Sequence, residues 1–280
     1  MFGRKNKMKK EPFDIVSNIV VTFFGILSLF PLYWLFTSSL KNSSDVVKMP
    51  PDWFPKTITL SNYVDVFNSQ PALRWTYNSL VVSLVTTIAL IIVSCLCAYA
   101  FSKLKFKGKK VLFIVFISSL MIPKEVVIVP LFRVVQDFGM VNSLHGMIWP
   151  NVATAFGVFL LKGFFDGIPD SLRESAKMDG ASELTVLYRI MLPIIKPGIG
   201  ALFILNFVQV WNDYLWQLVI GQEKEVKTLM VGVATLMQDL NPNFAYKMAG
   251  ATVAAIPMLI IFLLFQSYFT RGLSVGAVKE

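Results

Sequence analysis

Residues 15–40 and 75–102 carry no charged side chain, and each run exceeds the roughly 20 apolar residues that a helix needs to cross a bilayer. Hydrocarbon leaves no partner for free backbone N–H and C=O groups, so runs of this kind span as helices. Residues 138–161 hold only His145 among ionisable groups, and residues 248–270 hold none. These four runs are the expected first, second, fourth and sixth spans. Two interrupted runs complete the set. Residues 111–123 end at Pro123, Lys124-Glu125 follows, and residues 126–132 resume; Pro123 and Pro130 bracket the second piece, so the third span ends or kinks near Pro123. Residues 197–212 are apolar up to Asp213, and residues 214–222 continue beyond it. The expectation is an all-α, polytopic membrane protein with six transmembrane helices, and a chain that is 55% hydrophobic with a mean hydropathy of +0.62 fits it.

Charge gives the orientation. The net charge of +9 comes in short blocks beside apolar runs, the pattern that orients a membrane protein rather than the footprint of a nucleic-acid partner. One side receives Arg4, Lys5, Lys7, Lys9 and Lys10, then Lys103, Lys105, Lys107, Lys109 and Lys110. It also receives Lys162, Arg173, Lys177, Arg189, Lys196, Arg271 and Lys279. This bias puts both termini and the segment 169–198 in the cytoplasm. The apolar run behind the basic start is too long for a signal-peptide core, so an uncleaved first span is expected. On the other side, Trp53, Phe54, Trp75 and Tyr77 are candidate interface anchors, and a short helix is expected around residues 61–67.

Catalysis finds little support. One histidine rules out two-histidine metal motifs, and neither a phosphate-binding Gly-x-x-x-x-Gly-Lys-Ser/Thr loop nor a Gly-x-Ser-x-Gly elbow occurs. Cys95 and Cys97 stand two apart on a helix and point to different sides, so neither a disulfide nor a zinc site follows. His145 reads as a packed or interfacial residue. Lys124-Glu125 and Asp213, within Trp211-Asn212-Asp213-Tyr214, are the ionisable groups inside or beside spans. They either line a polar pathway or sit at the outer interface, where charge is cheap.

The segment 169–198 is polar and punctuated. Pro169 suits a first helical turn, Asp170 the positive end of its dipole, Gly180 a left-handed closing residue, and Ser182 a cap for a second helix. Two short helices about a glycine turn, ended by Pro193 and Pro197, are expected. Leu172, Ala176 and Leu184 form a modest apolar stripe. Physics alone leaves two readings open: an amphipathic loop on the bilayer, or a docking element for another protein.

Resemblance separates them. Glu174-Ser175-Ala176-Lys177-Met178-Asp179-Gly180-Ala181, followed by Ile190-Met191-Leu192-Pro193, resembles the Glu-Ala-Ala loop of binding-protein-dependent ABC transporter permeases. Phe159-Leu160, Gly167-Ile168-Pro169, Trp211-Asn212-Asp213 and the tail from Arg271 to Lys279 resemble the sugar-importer branch, and within it the maltose-type second permease subunit. Ser175 departs from the usual alanine.

The resemblance implies the type I importer permease fold, with residues 1–280 as a single transmembrane domain. Its core covers about residues 75–270, a cytoplasmic coupling loop about residues 166–196, and a cytoplasmic tail residues 271–280. It implies a permease subunit of an ATP-driven sugar or oligosaccharide importer in the cytoplasmic membrane, without an ATPase site of its own. The implied partners are a homologous second permease, two cytoplasmic ATPase subunits that carry ATP and magnesium, an extracellular solute-binding protein, and membrane lipid. Glu174, Ser175, Ala176, Asp179 and Gly180 are the implied coupling residues: Glu174 faces the ATPase or caps the turn, and the small Ser175 and Ala176 permit close approach. Gly272, Gly276 and Lys279 are implied tail contacts, and Trp211, Asn212 and Asp213 are candidate pathway residues. The rival classes are a self-sufficient secondary carrier or channel using Asp213 and Lys124-Glu125 and, less favoured, a membrane-embedded enzyme.

Overall fold

A computed structural model describes the backbone of residues 12–238 and 243–277, and the side chains of residues 16–238 and 243–264. The described residues are helical or looped, and they fall into two compact units.

The first unit, within residues 1–66 and 240–252, is dominated by α1 (Pro12–Ser39). The side chains of α1 from Val16 to Phe30 are exposed, as expected of a helix whose surroundings are lipid or another subunit rather than its own core. The loop after it folds back onto its end. Lys41 is buried, its ammonium lying 4.4 Å from the centroid of the Trp34 ring while donating to the Asp52 carbonyl. Asn62, in α2 (Ser61–Ser69), donates to the carbonyls of Ser39 at 2.8 Å and Lys41 at 2.9 Å. The short helix expected near residue 61 is therefore present, and it staples the loop.

The second unit, within residues 67–239 and 253–280, is built around α3 (Ala72–Lys103). At 32 residues α3 is about 48 Å long, against a hydrocarbon core of about 30 Å, so its ends project beyond the apolar zone. Its buried face is lined with small polar side chains: Ser79, Ser83, Thr86, Thr87 and Ser94. Helices without a hydrophobic drive to associate gain from close packing of such residues. Thr87 accepts a hydrogen bond from Asn206 at 3.0 Å, and a Cβ on Gly157 would stand 2.4 Å from Ser94 Oγ. Trp75, expected at the interface, is instead 2% exposed; its ring covers Gly232 in the helix Leu229–Gln238, and its indole N–H donates to the Lys224 carbonyl at 2.7 Å. Trp53, Phe54 and Tyr77 are exposed.

Among the described residues, three helices are long and apolar enough to span alone: α1, α3, and the last helix from Phe244. Three bent pairs bring the number up to six if each pair is counted as one span. The α4 (Lys109–Met121) and α5 (Lys124–Asp137) pair turns by 103° at Ile122-Pro123, as the proline predicts. The expected fourth span is not one helix from residue 138. Gly139 and Asn142 take positive φ in a turn, α6 (Leu144–Asn151) follows, and the chain bends by 44° before α7 (Ala155–Asp166). Thr154 opens α7 by accepting from the Gly157 N–H at 3.4 Å. After α8 (Asp170–Met178) come α9 (Glu183–Ile194) and α10 (Lys196–Trp211), bent by 78° between them. Pro193 does not end α9 directly; a π-turn at Leu187–Met191, closed by the Leu192 N–H donating to the Leu187 carbonyl, precedes it. Then α11 (Leu215–Ile220), α12 (Leu229–Gln238) and α13 (Phe244–Ala277) complete the order.

Candidate functional site

The segment 169–198 folds as an elbow of α8 and α9. Gly180 has φ +81°, the left-handed region that a side chain opposes, and its N–H donates to the Lys177 carbonyl at 3.0 Å. The Ala181 N–H donates to the Ala176 carbonyl at 3.0 Å, completing a Schellman closure of α8. Ser182 then caps α9 by accepting from the Thr185 N–H at 3.2 Å.

The elbow is fastened to the core by charge and packing. Glu183 accepts from the Arg173 guanidinium through both oxygens, from the buried Tyr99 hydroxyl of α3 at 2.6 Å, and lies 3.7 Å from the Lys177 ammonium. Lys103, in the projecting last turn of α3, donates to the Ile168 carbonyl and to Asp170 at 2.7 Å. The Arg173 hydrogen bond holds the Glu183 carboxyl below its ordinary pKa, and the Lys103 hydrogen bond does the same for Asp170. Beneath, Ala176 is 8% exposed and sits in the cluster of Tyr99, Phe165, Leu187 and Met191.

This corrects part of the sequence reading. Ala176 turns inward, so its small size lets α8 approach its own core rather than offering a surface. Leu172 and Leu184 are not buried with it; both are exposed, together with Met178, Glu174, Ser175 and Asp179. Leu184 lies beyond the turn at Gly180, which redirects α9, whereas Leu172 sits one turn before Ala176 on α8, in the exposed first turn of that helix, so the three do not make one buried stripe.

A second constellation forms where helix breaks meet. The α4–α5 break, the α6–α7 break and the residues between α10 and α11 line one cleft of about 260 Å³. Lys124, Glu125, Asn151, Gln209, Asn212 and Asp213 supply its polar groups, with Tyr214, Trp216 and the apolar Ile128 and Leu131. Lys124 donates to Asn151 at 3.0 Å and lies 3.6 Å from Asp213, which also accepts from the Trp216 N–H at 3.3 Å. The two charged motifs singled out in the sequence, some 90 residues apart in the chain, are thus brought together. Trp211 is not part of the lining: it is 2% exposed and stacks on Phe207 with ring centroids 5.8 Å apart. His145 stacks on Trp149 at 6.4 Å, away from the cleft lining. Among the described residues no group of three or more His, Cys, Asp or Glu is placed to hold a metal ion.

Residues 90–275 match the family model of the binding-protein-dependent transport system inner membrane component. The chain belongs to this family. The permease is 35% identical to the arabinooligosaccharides transport system permease protein AraQ of Bacillus subtilis (strain 168), over 97% of this chain and 99% of that protein. It is 30% identical to the diacetylchitobiose uptake system permease protein DasC of Streptomyces coelicolor, over 93% and 94% of the two chains. In fold it is similar to a chain of a bacterial ABC transporter involved in the import of the acidic polysaccharide alginate, with a TM-score of 0.81, 24% identity, and coverage of 96% and 99%.

Of the expected tail contacts, Gly272 and Gly276 lie on the backbone of α13, and Lys279 lies outside the described residues. Lys103 and Arg173, expected only as orienting charges, fasten the elbow, and Tyr99, Glu183, Asn151 and Gln209 join the two sites without a motif that marks them. For Glu183 a signal was available: an acidic residue one position after a capping serine, ten residues beyond an arginine.

Proposed function

We propose that this permease is one membrane subunit of an ATP-driven importer that carries a sugar or oligosaccharide across the cytoplasmic membrane. The elbow seats on a cytoplasmic ATPase subunit, and Asn212 and Asp213 of the cleft line the path of the solute. A homologous permease, two ATPase subunits that hold ATP and magnesium, and an extracellular solute-binding protein complete the assembly. Both termini lie in the cytoplasm, the tail beyond Arg271 approaches the ATPase, and this chain hydrolyses nothing itself.

One observation carries the reading: the elbow is a closed structural unit, fastened from behind through Ala176, Glu183 and Lys103, that leaves Leu172, Met178 and Leu184 open in front. Exposed apolar side chains on a rigid polar element are what a protein partner covers. The carbohydrate class is supported by the relatives that transport arabinooligosaccharides and diacetylchitobiose. The test is uptake by proteoliposomes holding the whole assembly. Uptake is expected to require ATP inside and both ATPase subunits; transport by this chain alone overturns the proposal.

A further inference from the structure

The relatives divide by the charge of what their names say they move. AraQ and DasC are named for neutral saccharides, whereas other relatives, about 29% identical, are named for sulfoquinovosyl glycerol and sn-glycerol-3-phosphate, which are anionic. We propose that the cleft between Lys124 and Asp213 selects neutral sugar rings and repels acidic ones. This rests on the reading of the cleft as part of the solute path.

Two carboxylates, Glu125 and Asp213, face one ammonium among the described residues lining the cleft, so its formal charge is negative. That ammonium is already engaged by Asp213 at 3.6 Å and Asn151 at 3.0 Å. A uronate or phosphate entering here meets like charge and must displace a made ion pair to find its own, and both effects oppose it. A neutral ring meets none of that. Its hydroxyls can donate to the carboxylates and exchange hydrogen bonds with the amides of Asn212 and Gln209, and its C–H face can pack on Tyr214. At about 260 Å³ the cleft lies below the range of roughly 300–1,000 Å³ typical of drug-sized ligands, so it takes one ring of a longer chain at a time.

The experiment measures binding to the complete transporter in nanodiscs, without its solute-binding protein, by equilibrium dialysis of two labelled probes. The probes are arabinotriose, which is neutral, and a mannuronate trisaccharide, which is acidic. The acidic probe is expected to bind about tenfold or more weakly than the neutral one. Asp213→Asn and Glu125→Gln, two independent variants, should each narrow that ratio to about threefold, and Lys124→Met should widen it. Equal binding of both probes in the wild type, unchanged in all three variants, overturns charge selection and leaves the cleft on the path. Binding of either probe that Asn212→Ala with Tyr214→Ala leaves unaltered puts the sugar elsewhere and removes the path reading and the selection together. So does the absence of binding by both probes.

Discussion

Replacing Glu183 by alanine should loosen α8 and release one tie between α9 and α3. The carboxylate holds α8 through the Arg173 guanidinium and ties α9 to α3 through the Tyr99 hydroxyl. Hydrogen bonds to charged groups contribute about 1.5–3 kcal/mol each. The Glu183 and Arg173 side chains are 34% and 24% exposed, so solvent screening lowers their mutual term to about 1–2 kcal/mol. Tyr99 is 4% exposed, and its hydroxyl also engages the Arg173 guanidinium, so it keeps a partner when the carboxylate is removed. The assay is amide hydrogen exchange of the peptide covering residues 170–180, in the assembled transporter in nanodiscs. Glu183→Ala should open α8 more often by about 5- to 30-fold, with α10 unchanged. Arg173→Ala should give about 5- to 30-fold. The double variant decides the matter: with a real coupling of about 1–2 kcal/mol, it opens far less than the product of the two single effects. If the single free energies add within about 0.5 kcal/mol, the fork contributes nothing and the account of the elbow is refuted.

At Gly180 a Cβ meets no atom within 4 Å, so substitution there tests backbone conformation alone. Gly180→Ala should destabilise the elbow by about 1–2 kcal/mol and Gly180→Asn by visibly less, read from the same exchanging amides; equal effects would mean that the left-handed turn is not what matters. Gly232→Ala would set a Cβ 2.1 Å from Cε3 of Trp75, and overpacking of about 1–3 kcal/mol should outweigh the helix-propensity gain of about 1 kcal/mol. Its thermal midpoint in detergent should fall, and Trp75→Leu on the same background should recover part of the loss. For pH, both carboxyls of the elbow have lowered folded pKa values, so their stabilisation is complete above the ordinary carboxylate pKa of about 4 and is lost as pH falls through the lowered values. After correction for intrinsic exchange, α8 opening should be flat from neutrality to about pH 5 and should rise only in stronger acid.

The spans were legible because charge is excluded from hydrocarbon, and the elbow was legible because Gly180 and Ser182 do local jobs that local sequence specifies. Trp75 was misplaced because an aromatic at the end of an apolar run looks the same whether it faces headgroups or a glycine 157 positions away; only the close approach of α12 tells them apart. The fourth span was drawn as one helix because Asn151 and Thr154 are too small a polar interruption to show in hydropathy, though Thr154 caps a helix start. The cleft was visible only as scattered charges. Lys124 and Asp213 meet through tertiary packing, and no periodicity records that.

One helix joins the two functional regions. α10 begins at Lys196, two residues after α9 ends at Ile194, and finishes at Trp211, one residue before Asn212 of the cleft. Its 16 residues make a rod of about 24 Å whose start is pressed against the Phe164 ring, where a Cβ on Gly198 would stand 2.6 Å away. With that end held so closely, a tilt of the rod by about 10° about the contact, which lies about 20 Å from Trp211, moves the far end by about 3 Å, enough to carry Asp213 and Lys124, now 3.6 Å apart, beyond the roughly 4 Å reach of an ion pair. A push too small to unfold anything at the elbow is therefore large enough to part an ion pair at the other end, so opening and closing the cleft needs a lever rather than a relay.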